Sequence, residues 1–149
     1  MKEEKDMTVK QISVFVENTA GKLAEFIRVL CKHNINIRAL SLADTRDFGI
    51  LRLIVDDTYE TVHMLEDEGY VFSITKVLAV AVPDEPGYLY RILTILGDND
   101  INIEYTYAFH HKTQEVAYMI FRVEDNEKAV EVLTREGVKM IDQEHLREI

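Results

Sequence analysis

The 149 residues carry 17 basic against 27 acidic side chains, a net charge of −10 that disfavours a phosphate-backbone partner and sets nucleic-acid binding aside. A single cysteine excludes an internal disulfide, and no apolar run is long enough to span a bilayer, so the expected setting is the cytoplasm, away from membranes. The length suits one average domain or two small ones.

Met1-Lys2-Glu3-Glu4-Lys5-Asp6 lacks the apolar stretch of a secretory signal, and residues 1–8 read as a polar lead-in that frays. Beyond it Ile12, Val14 and Val16 alternate with Ser13 and Phe15, the pattern of a strand buried on one face. Asn18-Thr19-Ala20-Gly21-Lys22-Leu23 then turns into a helix with Leu23, Phe26, Ile27 and Leu30 at three-and-four spacing, ending near His33-Asn34. Cys31 is expected on the flank of that buried face, as a small apolar filler. Ile35-Asn36-Ile37 leads into a second strand reaching about Ala43, a polar turn covers 44–47, and Gly49-Ile50-Leu51-Arg52-Leu53-Ile54-Val55 completes a hairpin. Asp57 with Glu60 has the form of a capping box for a helix carrying Tyr59, Val62 and Leu65, which Gly69 stops. A fourth strand is predicted at 71–74.

Thr75-Lys76 joins it to the apolar run Val77 to Val82, and Pro83-Asp84-Glu85-Pro86-Gly87-Tyr88-Leu89 follows as a tight turn. Pro86 is placed at the first helical position, where its fixed φ fits and its missing N–H costs nothing. Leu89, Ile92, Leu93 and Leu96 mark the helix. The order then repeats: Ile101-Asn102-Ile103, a hairpin of 103–110 with 116–123, a helix over 126–136, a short strand near 139–141 and a last turn or two. Gly21 precedes Gly87 by the same interval that separates Asn36 from Asn102; farther on, Asp57 matches Asp125 and Gly69 matches Gly137. The second half is lengthened slightly around 110–115, at a hairpin tip.

Two domains are therefore expected, residues 9–75 and 76–149, each of the α+β class with the ferredoxin-like order βαββαβ: a four-stranded antiparallel sheet with both helices on one face. The third strands are apolar on both alternating sets, Ile50 and Ile54 against Leu51, Leu53 and Val55, so the second sheet face is expected to be covered by the other half or a second subunit.

Fold alone assigns no function, so the side chains must. A helix start at each Gly turn offers backbone N–H groups to a small anion. Asn36 and Asn102 each carry a donor and an acceptor on one amide, and Asp84 and Glu85 can attract an ammonium group. Each also has a plainer reading: asparagines close loops, glycines serve the backbone, and acids favour helix starts through the dipole. Asp47-Phe48-Gly49 copies a kinase tripeptide without the other kinase motifs, and His110-His111 would point to opposite faces of a strand, so neither is taken as a site. Tyr105, Tyr107 and Tyr118 read as packing partners on paired strands. No nucleophile with a base, metal-ligand cluster or phosphate loop stands out, so no catalytic residue, metal or cofactor is assigned.

The doubled pattern of strand, Gly turn, amphipathic helix and Ile-Asn-Ile resembles the ACT domain family, small-molecule sensing modules of amino-acid metabolism, over nearly the whole chain after Thr8. The second copy, Val82 to Leu89 followed by Ile101-Asn102-Ile103, carries the resemblance best; the first has Thr19-Ala20-Gly21 where a proline is usual. Ala43-Asp44-Thr45-Arg46-Asp47-Phe48-Gly49-Ile50-Leu51-Arg52 fits the stand-alone tandem subgroup. The resemblance implies a non-catalytic regulatory or sensor protein, a homodimer that binds a free amino acid reversibly at an interface between ACT units. The candidate ligand-binding set is Asn18, Ala20, Gly21, Lys22, Leu23 and Asn36 in the first half, and Asp84, Glu85, Pro86, Gly87, Tyr88, Leu89 and Asn102 in the second. The alternative is a dissociable regulatory subunit of an amino-acid biosynthetic enzyme, similar to the small subunit of acetolactate synthase.

Overall fold

The computed structural model describes residues 6–44, 48–109 and 116–149. Residues 45–47 of the polar turn, including Asp47 of the kinase-like tripeptide, and the whole hairpin tip at 110–115 with His110-His111 fall outside them. Among the described residues, seven strands, four α-helices and a closing 3-10 turn at Leu146–Glu148 make an α+β chain. It divides into two units: Lys10–Thr75, and Lys76–Ile149 joined by the described residues that precede Lys10.

In the first unit β1 (Val9–Glu17) leads to α1 (Lys22–Lys32), then to the hairpin β2 (Ile37–Asp44) and β3 (Phe48–Val55), then to α2 (Thr58–Asp67). β3 is antiparallel to both β1 and β2. The register Ile12↔Leu53 and Val14↔Leu51 sets those four side chains on one face. There they pack with Phe26 and Leu30 of α1 and Met64 and Leu65 of α2. On the other side of β1, the Phe15 N–H donates to the Val71 carbonyl at 3.0 Å.

In the second unit β4 (Phe72–Pro83) enters from the first, followed by α3 (Tyr88–Asp98), β5 (Ile103–Phe109), β6 (Val116–Val123), α4 (Asn126–Arg135) and β7 (Met140–Ile141). β6 is antiparallel to β4 and β5, and β4 also takes β7. Leu78 and Val80 face Phe121 and Met119 across the ladder, over a core that includes Ile92, Leu96, Val132 and Leu133.

Several expectations change. Where two strands are predicted either side of Thr75-Lys76, β4 runs unbroken; neither residue is a breaker, and threonine favours extended backbone. Cys31 is exposed, because it lies about 100° around the helix from buried Leu30. The end of the lead-in is not loose: Thr8 donates to the Asp6 carboxylate through both its N–H and its hydroxyl, Lys76 Nζ lies 3.3 Å from the same group, and Met7 packs on the second core.

Candidate functional site

The two Gly turns repeat one hydrogen-bond pattern on different sequences. In the first, the Thr19 N–H donates to the Glu17 carbonyl (2.9 Å), Lys22 to Thr19 (3.2 Å) and Glu25 to Gly21 (3.0 Å). In the second, Glu85 donates to Pro83 (2.8 Å), Tyr88 to Glu85 (3.2 Å) and Arg91 to Gly87 (3.0 Å). Gly21 and Gly87 are the N-caps of α1 and α3, at φ 86° and 89°. Pro86 thus stands one residue before the cap, not at the first helical position, and its ring presets the turn instead of the helix. A Cβ at either glycine would meet nothing within 4 Å, so left-handed backbone, not a close approach within the chain, is the reason for glycine there.

Neither helix has a side-chain cap. By contrast, Asp57 accepts from the Glu60 N–H at 3.0 Å to cap α2, and Asp125 accepts from Lys128 at 3.1 Å to cap α4. The Lys22 and Tyr88 amides are taken by carbonyls, and among the described residues the N–H groups at the Gly turns without a backbone partner include those of Leu23 and Leu89. Asn18, Ala20, Gly21 and Lys22 are exposed around the first, and Asp84, Glu85, Pro86 and Gly87 around the second, with Leu23, Tyr88 and Leu89 half-buried. Lys22 lies 3.7 Å from Glu25, and the Arg91 guanidinium sits 5.7 Å from the Tyr88 ring centroid.

Both asparagines close the loop ahead of a strand through their main chain: the Asn36 carbonyl accepts from Asp56 (3.2 Å) and the Asn102 carbonyl from Glu124 (3.1 Å). Their side chains differ. Asn36 Nδ2 donates to Asp56 Oδ2 at 2.7 Å, and Arg38 Nη1 donates to Asp56 Oδ1 at 3.0 Å. Arg38 is buried, 3 % exposed, while Asp56 keeps 27 %. Sequence reasoning passed over both partners, although an arginine inside an apolar strand is a signal that a buried charge needs a carboxylate. In the second half the matching positions are Glu104, which pairs with Arg122 at 3.3 Å, and Glu124.

Within one unit the Gly turn and the asparagine do not come together. The eleven residues of α3 separate Gly87 from the Asn102 loop, about 16 Å of helix. At the Asn102 end lies a crevice of about 490 Å³ lined by Asp100, Ile101, Glu124, Asp125, Asn126, Glu127 and Lys128. It is rich in acceptors, and among the described residues the buried Asn126 Oδ1 atom has no hydrogen-bond partner, nor has the matching Thr58 Oγ1 of the first unit. Near the C-terminus Asp142, Glu144 and His145 bring ligand-type atoms within 4.8 Å of one another, a grouping that the sequence pattern did not suggest. There Asp142 pins the last turn, accepting from the His145 N–H at 2.9 Å with the ring nitrogen 2.6 Å away. Tyr105 and Tyr107 stack at 6.4 Å, and Phe109 meets Tyr118 edge-on at 6.2 Å, as packing partners.

The profile of the ACT domain pair family matches residues 7–149. The structure resembles the crystal structure of protein BT0572 from Bacteroides thetaiotaomicron, with 37 % sequence identity and a TM-score of 0.88 over 96 % of this chain and 98 % of that one. It shares its fold with the regulatory subunit of aspartate kinase from Thermus thermophilus in ligand-free form, at 15 % identity and TM-score 0.59 over 87 % of this chain and 93 % of that one. The Thermus flavus regulatory subunit is similar at 16 % identity and TM-score 0.60, with the same coverage. Among curated proteins none matches.

Proposed function

The chain belongs to the ACT domain pair family, and from that premise we propose that it is a non-catalytic regulatory or sensor protein of the cytoplasm that binds a free amino acid at an interface between ACT domains, each a ferredoxin-like βαββαβ unit, with two copies of the chain associating. The observation that carries this reading is the pair of helix starts at Gly21 and Gly87, left without a side-chain cap where α2 and α4 each have an aspartate. Uncapped N–H groups at the positive end of a helix dipole suit a carboxylate. Acceptors at Asn102 and in the acidic crevice beside it suit an ammonium. Because a single unit keeps these two halves of a zwitterion site about 16 Å apart, a complete site draws the Gly turn and the asparagine loop from different ACT units.

A melting-temperature screen over the proteinogenic L-amino acids tests this. A ligand at a hundredfold over its Kd stabilises the folded state by about 2.7 kcal/mol, a rise of several degrees for a chain of this size. One or two amino acids are expected to produce it, and a flat response across the panel would contradict the reading.

A second reading, the regulatory subunit of an amino-acid biosynthetic enzyme, is favoured by exposed apolar side chains on the first unit: Phe15 at 42 %, Phe48 at 53 % and Val71 at 67 %. Stoichiometric co-purification of a biosynthetic enzyme with the tagged chain is the expected outcome there, and recovery of the chain alone counts against it.

A further inference from the structure

We propose that the two halves have diverged into one open and one closed recognition loop, so that each chain binds one amino acid, through Asn102 and Glu124 of the second half. This rests on the amino-acid-binding reading above and specifies which copy of the repeated loop performs it.

The two loops start from the same parts. Each has an asparagine ahead of a strand, and each asparagine carbonyl accepts the N–H of an acidic residue, Asp56 or Glu124, just before the capping aspartate of the next helix. An amide beside a carboxylate is a fitting receptor for an ammonium group, offering up to three acceptor oxygens. What differs is whether those atoms are already in use.

In the first half they are. Asp56 spends one oxygen on Asn36 Nδ2 at 2.7 Å and the other on Arg38 at 3.0 Å. Arg38 is almost wholly buried, so drawing Asp56 toward a ligand would pull a carboxylate away from a buried guanidinium, which is costly. The ligand's ammonium would also have to approach that fixed positive charge. The pair is shut by its own arginine.

In the second half no arginine stands at that position. Glu104 occupies the place of Arg38, two residues past the asparagine, and is itself drawn to Arg122 at 3.3 Å. A second carboxylate cannot hold Glu124 as Arg38 holds Asp56. Among the described residues nothing bonds the side chain of Asn102 or of Glu124, and both are exposed. Glu124 also lines the acceptor-rich crevice with Asp100, Asp125 and Asn126. The ligand class follows: an amino acid with a free α-ammonium and a neutral or cationic side chain, since an acidic one would face these carboxylates.

The test is isothermal titration of the full chain with whichever proteinogenic L-amino acid raises the melting temperature most, and with its N-acetyl derivative. One molecule per chain is expected, with no detectable binding of the acetylated form. Asn102→Ala is expected to weaken binding about tenfold or more, while Asn36→Ala leaves the affinity within about twofold and lowers the melting temperature. Two molecules per chain, equal binding of the N-acetyl compound, or loss of affinity in Asn36→Ala but not in Asn102→Ala would each overturn the inference while leaving amino-acid binding intact. Two molecules per unmodified chain would overturn the inference even if a variant fails to fold, and Glu124→Gln, expected to weaken binding while Asp56→Asn does not, then assigns the single site to a half. Failure of every amino acid to bind would instead overturn the parent reading, and this inference with it.

Discussion

Gly87 shows how one residue serves the backbone and leaves room for chemistry. At φ 89° with open space around the position of a Cβ, replacement by alanine meets no clash, only the left-handed penalty. Gly87→Ala is therefore expected to lower stability by about 1–2 kcal/mol, checked by urea unfolding, with the far-ultraviolet spectrum unchanged. That a glycine belongs here was legible, because the turn recurs at a fixed interval in the chain. What Asn36 does with its side chain was not. Its partner, Asp56, is twenty positions away across the hairpin, and no local pattern couples the two. The burial of Arg38 was equally invisible, since alternation along β2 says which face a residue takes and not how deeply a neighbouring carboxylate holds it.

Among the elements, α2 and α4 are stabilised at their starts by Asp57 and Asp125, and replacing either by alanine is expected to cost about 1 kcal/mol in a denaturant titration. The Asp57-to-Glu60 spacing announced the first cap, whereas Asp125 was marked only as the repeat of Asp57 and not as a cap, since Lys128 stands where a box would have its acid. The order of helices and strands was readable from periodicity because each amphipathic face meets one core, around Phe26 and Leu65 in the first unit and around Ile92 and Leu133 in the second. The fusion of two predicted strands into β4 was not, because a pause in apolar character at Thr75-Lys76 looks the same in sequence whether the backbone turns or merely passes an exposed position.

For the whole molecule, alkaline pH offers a probe of both units at once. Burial pushes the phenol of Tyr70 above its ordinary 10.0, helped by the carboxylates of Glu25 and Glu68, and burial does the same at Tyr118. An unfolded tyrosine ionises first, so the folded state's advantage is complete below pH 10 and is lost as pH rises through the raised values. The urea midpoint should fall above about pH 10, and Tyr118→Phe should flatten the fall. The duplication is the feature of the sequence that reaches farthest, since it implies two small α+β units. It does not disclose that residues 6–9 belong with the second unit. Met7 rests on the core of Val80, Ile92 and Leu133, and Asp6 pairs with Lys76. During translation Met7 leaves the ribosome well before Leu133 does. The nascent protein therefore holds out an anchor whose mooring has not yet been made, and the second core cannot finish closing until Leu133 has emerged.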